Sequence, residues 1–327
     1  MKQSLIIFAL LFLTVYYLHG QVKSKPISRD TTYTPYIVWQ GIKDSHPQAT
    51  IARPDLPKGV KASENLVYCT LPDTPFGIRD LHFDLFSPEK PGKYPLLVMV
   101  HGGGWRSGDK SMQVPMAQRI ASFGFVTAAV EYQLSLEAKY PAPVYNIKAA
   151  IRWLKANAGK FGIDTSKVVI SGCSAGGQLA MLVAMTNGKS RFEGNQGETG
   201  IPSNVHPVID IDGVLDFMAP SSLNLTRKPD SPDIEWLGGS FSEKPDIWKE
   251  ASSIFWVNAN SVPVLFLNSG FSRFHSGQYE MIGMMKELDI YTEVHKFDIQ
   301  IHPFWLLHPW MEPATDYMVA FMNKVLR

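Results

Sequence analysis

The 327-residue chain is poor in cysteine, in net charge and in long apolar runs. Its two cysteines, Cys69 and Cys173, are too few for a disulfide-built scaffold and lack the clustered spacing of a thiolate metal site. Cys173 falls in a tight turn and Cys69 in an early strand, so both read as free, buried thiols. With 31 Lys and Arg against 30 Asp and Glu, the net charge of +1 gives no reason to propose nucleic acid or a polyanionic surface as partner. There is no internal repeat and no low-complexity tract. The one long apolar run, residues 5–18, follows Lys2 and ends at His19-Gly20-Gln21. That is the pattern of a secretory signal peptide, and the run is short for a membrane span. Residues 1–20 are therefore expected to be cleaved. The mature protein is then exported to the periplasm or medium with no stable membrane span.

Glycine, by contrast, sits where chemistry would need it. His101-Gly102-Gly103-Gly104-Trp105 and Gly172-Cys173-Ser174-Ala175-Gly176-Gly177 each follow an apolar run that reads as a buried strand, at 96–100 and 167–171. The second turn fits the G-x-S-x-G elbow, in which a serine is held at a sharp strand-to-helix bend. The first fits the HGGG-type turn that supplies backbone N–H groups to a developing negative charge. Ala175, at the head of the following helix, is the expected first oxyanion donor, with Gly103 and Gly104 adding others. Losing one such donor typically raises the barrier by roughly 3 kcal/mol. Together the two turns point to a serine hydrolase acting on an acyl group.

Residues 21–61 are polar and proline-bearing and read as an extended segment on the surface of one catalytic domain, 62–327. Strands at 65–70 and 81–87 suggest an opening antiparallel pair. Further strands are expected at 96–100, 125–131, 167–171, 208–217, 262–269 and 291–297. Helices are expected at 112–122 and 144–156, after the elbow, and at the C-terminus, where Met318, Phe321, Met322 and Val325 share a face. The alternation predicts an α/β class with a mostly parallel sheet covered on both faces. The stretch 218–261, with Pro220, Pro229, Pro232, Gly238 and Gly239, is too long for a plain connection and reads as a cap or rim inserted before the seventh strand.

A serine nucleophile needs a base, and histidine titrates in the right range. His302, in the loop after the last strand, is the preferred base, and His308 reads as a histidine packed among aromatics. Histidines 46, 82, 206 and 295 have no positional claim. The acid is less clear, because Gly270-Phe271-Ser272-Arg273-Phe274-His275 after the seventh strand carries no carboxylate. Asp216, taken as the exposed end of the strand 208–217, ranks first. Glu312 is the alternative, and a Ser–His pair held by backbone alone the third. Asp212 on the same strand reads as a buried, hydrogen-bonded residue. Arg273 and His275 lie where the acid was expected and, with Trp105, are the candidate substrate-binding residues. Arg273 would bind a substrate carboxylate in a forked pair, or else neutralise Asp216 or Glu312. Trp105, Trp236, Trp305 and Trp310 offer indole faces to a sugar ring, against core packing for at least two of them.

Over roughly residues 65–327 the chain resembles the esterase/lipase branch of the α/β-hydrolase superfamily. The resemblance rests on the two glycine turns, on Tyr140-Pro141-Ala142-Pro143 and on Ala149-Ala150-Ile151-Arg152-Trp153-Leu154. Glu235-Trp236-Leu237-Gly238-Gly239, Arg273-Phe274-His275-Ser276-Gly277 and His302-Pro303-Phe304-Trp305 with His308-Pro309-Trp310 are similar to exported bacterial carbohydrate esterases. These include pectin acetylesterases and an α/β-hydrolase type of pectin methylesterase. The resemblance implies a central sheet of about eight strands and a serine ester hydrolase with no metal or cofactor. It also implies a plant cell-wall polysaccharide or oligosaccharide ester as substrate, pectin first. The missing carboxylate after the seventh strand departs from the superfamily pattern. The enzymatic alternatives are an acetylxylan esterase, a short-chain carboxylesterase or an arylformamidase. The alternative of another class is a non-catalytic glycan-binding protein on a hydrolase scaffold.

Overall fold

The computed structural model describes residues 26–27 and 30–327, so the expected signal peptide lies outside the described residues. Eight strands form the central sheet: β1 (Val60–Thr74), β2 (Gly77–Pro88), β3 (Tyr94–Val100), β4 (Val126–Val130), β5 (Ile163–Cys173), β6 (Val208–Ile211), β7 (Val264–Asn268) and β8 (Thr292–Lys296). Their spatial order is β1-β2-β4-β3-β5-β6-β7-β8. The first two pairings, β1 on β2 and β2 on β4, are antiparallel, and all later ones are parallel. This is the mostly parallel sheet that the alternation predicts. A separate two-residue ribbon pairs Thr50 with His308 and Ile51 with Leu307.

Strand β3 explains the layering. Leu96, Val98 and Val100 enter one core cluster, while Leu97 and Met99 enter the other. Alternate side chains point to opposite faces and both faces are covered, so the strand is one unbroken apolar run. The helices of eight or more residues are α1 (Pro35–Ile42), α2 (Val114–Ala121), α3 (Ala142–Ala156), α4 (Ala175–Met185), α5 (Gln278–Glu287) and α6 (Met311–Val325). Helices α3, α4 and α5 cover the first face, through residues such as Ile147, Ile151, Leu179 and Met281. Helices α2 and α6 cover the second, through Met116, Ile120, Met318 and Phe321. Helix α4 is buried along its whole length, which is why it shows no polar stripe.

Two expectations need correcting. The segment 21–61 is not simply extended, because Pro35 in the first turn and the Thr34 hydroxyl, accepting from the N–H of Ile37, start helix α1. The sixth strand is shorter than 208–217 and stops at Ile211. Asp212 follows with φ of +52°, and residues 214–217 leave the sheet to run beneath the rim. That rim contains three short helices, Pro220–Leu223, Pro232–Leu237 and Pro245–Ala251. Among the described residues no helix is long and apolar enough to cross a membrane.

Candidate active site

Ser174 joins β5 to α4 with φ of +55° and ψ of −120°. A non-glycine residue at positive φ is strained, and here the strain pushes the hydroxyl out of the sheet. The bend needs glycine beside it, since a Cβ on Gly172 would lie 2.0 Å from the carbonyl oxygen of Gly176. The turn after β3 packs alongside. Gly103 has φ of +122°, and a Cβ there would meet the Ser107 carbonyl oxygen at 2.1 Å. The Gly103 carbonyl accepts from the N–H of Arg106 (3.2 Å), the N–H of Ser107 (3.0 Å) and the Ser107 hydroxyl (2.7 Å). Those three bonds fix the turn. Gly103, Gly104, Ser174 and Ala175 line one cavity of about 660 Å³. Ala175 heads α4, and the first N–H groups of a helix have no intrahelical acceptor.

His302 reaches the same point from the far end of the chain. Its Nε2 is 2.8 Å from Ser174 Oγ, and its Nδ1 is 2.9 Å from Asp212 Oδ2. Phe274 stacks on one face of the imidazole, ring centroids 3.4 Å apart, and Trp305 meets it edge-on at 5.2 Å. Burial disfavours the imidazolium and outweighs the opposing pull of the Asp212 carboxylate, while Arg273 and His275 add to the lowering. His302 is therefore held below the ordinary histidine value, in the neutral form a base requires.

The carboxylate beside His302 is Asp212, not Asp216. The side chain of Asp212 is fully buried. Its Oδ1 accepts from the N–H of Ser269 at 2.7 Å and faces His275 Nε2 at 3.2 Å. Burial alone would raise this carboxyl, but the bonds from His275, His302 and Ser269 prevail and hold it below the usual carboxylate range. Asp216 accepts instead from the N–H of Met218 at 2.7 Å, and burial raises its pKa. It lies beyond the strand because β6 ends at Ile211, five residues before the position expected for the acid. Glu312 pairs with His308, four residues earlier in the short ribbon, and is likewise not at Ser174. The signal for Asp212 was present in the sequence: Asp212-Gly213 directly after Val208-Ile209-Asp210-Ile211 is a turn dipeptide closing a strand.

The remaining expected residues divide. Arg273 lines the cavity, exposed, with its guanidinium 4.3 Å from the Phe274 ring centroid. It forms no ion pair with Asp216 or Glu312. The other two arginines of the cavity wall are compensated, Arg106 by Asp30 at 2.9 Å and Glu235 at 3.2 Å, and Arg227 by Asp233 at 2.6 Å. His275 is turned onto Asp212, so its expected contact with substrate is replaced by one with the acid. Trp105 lines the cavity, but its indole is stacked on Trp236 at 4.7 Å and its Nε1 donates to Gln178 Oε1. Trp236 and Trp305 are fully buried, so the four tryptophans form no common wall. Among the described residues no group of His, Cys, Asp or Glu is arranged to hold a metal ion, and Cys69 and Cys173 are unpaired and buried.

Known proteins share this framework. Over residues 83–270 the chain matches the family model described as BD-FAE. Esterase LipC of Mycobacterium tuberculosis is 29% identical over 197 residues, 60% of this chain and 48% of LipC, so the chain spans about half of that relative. Versiconal hemiacetal acetate esterase of Dothistroma septosporum is 25% identical over 262 residues, 72% of this chain and 73% of the relative. Among solved structures, a truncated carbohydrate esterase from gut microbiota superposes with a TM-score of 0.69 at 20% identity, covering 83% of this chain and 99% of that one. The sheet order, the elbow and these matches agree: the chain has the α/β-hydrolase fold and belongs to the BD-FAE family.

Proposed function

We propose that the protein is a serine carboxylic ester hydrolase. The observation that carries the reading is the continuous chain from Ser174 Oγ through both nitrogens of His302 to Asp212, at 2.8 and 2.9 Å, on the wall of an open cavity. Ser174 Oγ attacks the ester carbonyl carbon as His302 Nε2 takes its proton. The Nδ1–H of His302 donates to Asp212, which fixes the tautomer and stabilises the imidazolium. The N–H groups of Ala175, Gly103 and Gly104 hold the oxyanion. Collapse of the tetrahedral adduct expels the alcohol, which takes the proton from His302, and water then clears the acyl group by the same route. Asp212 removes the motive for a non-catalytic reading, which rested on a missing acid.

We infer that the substrate is an acetyl or methyl ester of a plant cell-wall polysaccharide, with pectin favoured. Arg273 supports this, since among the described residues it is the one arginine of the cavity wall without a carboxylate partner, and it stands beside His302. A uronate carboxylate on the polymer would complete a charge-assisted pair there. Likeness to a carbohydrate esterase points the same way. A short-chain carboxylesterase is the second reading, favoured by the apolar stretch of wall at Trp105, Val214, Phe217 and Leu225. Export follows from the sequence of residues 1–20 and belongs to the same proposal.

The test measures acetate and methanol release from pectin and acetylated xylan, with p-nitrophenyl acetate as a neutral ester. Pectin should be preferred, and Arg273→Ala should cut kcat/KM on pectin about tenfold while changing the neutral ester less than about twofold. Equal losses on both would make Arg273 structural, and preference for xylan or the neutral ester would favour the second reading.

A further inference from the structure

The wall of the cavity next to the elbow includes a phenol that the scheme above leaves idle. Tyr33 comes from the segment before α1 and is held from both sides. Ahead of it, Asp30 bridges to Ser107 in the glycine turn, accepts from Arg106 Nε at 2.9 Å, and accepts from the Thr32 N–H and hydroxyl at 2.9 and 2.6 Å. Behind it, Thr34 caps α1. The ring packs against the second core cluster. Yet the hydroxyl oxygen is buried and has no hydrogen-bond partner among the described residues, although the residue lines the cavity.

A buried hydroxyl without a partner destabilises the fold, so its retention asks for an acceptor that arrives with the ligand. The position says which oxygen that is. Asp30, three residues ahead, is seated on Ser107 and Arg106 beside the glycine turn, and the phenol shares the cavity wall with Ser174 and Ala175. The ionisable groups acting on it are Cys173, which precedes the nucleophile, and Tyr132, whose hydroxyl donates to the His101 carbonyl at 2.9 Å. Those neighbours belong to the elbow and the oxyanion turn, not to the His302 and Arg273 side. Burial holds the phenol far above its ordinary pKa, so it stays protonated and can only lend a proton to a hydrogen bond.

We propose that Tyr33 is a catalytic residue whose hydroxyl donates a hydrogen bond to the ester carbonyl oxygen as it becomes the oxyanion, beside the N–H groups of Ala175, Gly103 and Gly104. The inference rests on the ester-hydrolase reading. It also gives the N-terminal segment a part in the chemistry, since Asp30, Arg106 and Thr34 serve to position that phenol.

Tyr33→Phe keeps the ring and removes only the hydroxyl. Rates on p-nitrophenyl acetate are taken per active site titrated with a fluorophosphonate, which removes any unfolded fraction from the comparison. Affinity for phenylboronic acid, which forms a tetrahedral anion on the serine, is measured alongside. The expected result is a fall in kcat of about 10- to 100-fold with KM changed less than about twofold, and a loss of boronate affinity by a similar factor. A fall in kcat of less than about tenfold, a loss confined to KM, or unchanged boronate affinity overturns the inference while the hydrolase reading stands. A wild-type protein that turns over no ester and binds no boronate overturns both.

Discussion

Asp212 and His302, ninety positions apart in the chain, meet with 2.9 Å between Oδ2 and Nδ1 because Asp212 is the first residue beyond β6 and turns its carboxylate along the sheet edge at φ +52°. The other oxygen of the same carboxylate is occupied by the Ser269 N–H and by His275. Three partners thus hold both oxygens, and they resist rotation of the carboxylate away from the imidazole. A carboxylate so fixed selects the Nδ1–H tautomer and leaves Nε2 free to accept the serine proton.

The paired substitutions Asp212→Asn and Asp216→Asn separate the two carboxylates. Asp212→Asn should lower kcat by about 10³- to 10⁴-fold, since an amide can hold the imidazole in the wrong tautomer. Asp216→Asn, which alters a carboxylate bonded to the Met218 and Ala219 N–H groups and Ser252 rather than to His302, should stay within about tenfold of wild type. Steady-state kinetics on one neutral ester decide this, and the reverse ranking would restore Asp216 as the acid.

The contrast also marks how far the sequence could be read. Ser174 and the glycine turn were legible because their constraint is local: a strained bend and a close backbone approach leave glycines at fixed offsets. His302 was legible from its place after the last strand. Asp212 was passed over despite the turn dipeptide Asp212-Gly213, because Val214, Leu215 and Phe217 continue the apolar pattern of Val208–Ile211 and mimic a longer strand. Those residues are apolar for another reason. Leu215 and Phe217 are buried in the same cluster as Trp236 and Trp248 of the rim, a contact between distant segments that spacing does not encode. The mostly parallel sheet and its two covered faces followed from the alternation of strands and helices, whereas helix α1 is set by one cap and one proline in a polar stretch.

The pH dependence of kcat/KM has a definite sign. Burial, reinforced by Arg273 and His275, lowers the pKa of His302 despite Asp212. The base is active when neutral, so activity should fall on the acid side with a midpoint below about 6.5, the ordinary histidine value. Arg273→Ala removes one of the lowering charges and should move that midpoint upward. A midpoint above 7 in the wild type, or a downward move in the variant, would contradict the assignment of the base.

Away from the site, the fold carries a polar network whose loss should be costly. Lys148 on α3 is fully buried and donates to Glu193 Oε1 at 2.8 Å and to the Thr186 carbonyl at 3.0 Å, while Arg152 approaches Glu193 Oε2 at 3.2 Å. Glu193→Ala leaves two cations of the core side without their carboxylate and should destabilise the protein by about 3 kcal/mol. Urea denaturation measures it, and a loss under about 1 kcal/mol would mean that the backbone carbonyls alone satisfy Lys148 and Arg152.

The serine itself offers the most direct measurement. Incubation with a fluorophosphonate followed by peptide mass spectrometry should find a single covalent adduct, on Ser174, formed at a rate that drops by about 10³-fold or more in His302→Ala. An adduct on another residue, no adduct on correctly folded protein, or labelling of Ser174 that is indifferent to His302 would contradict the account.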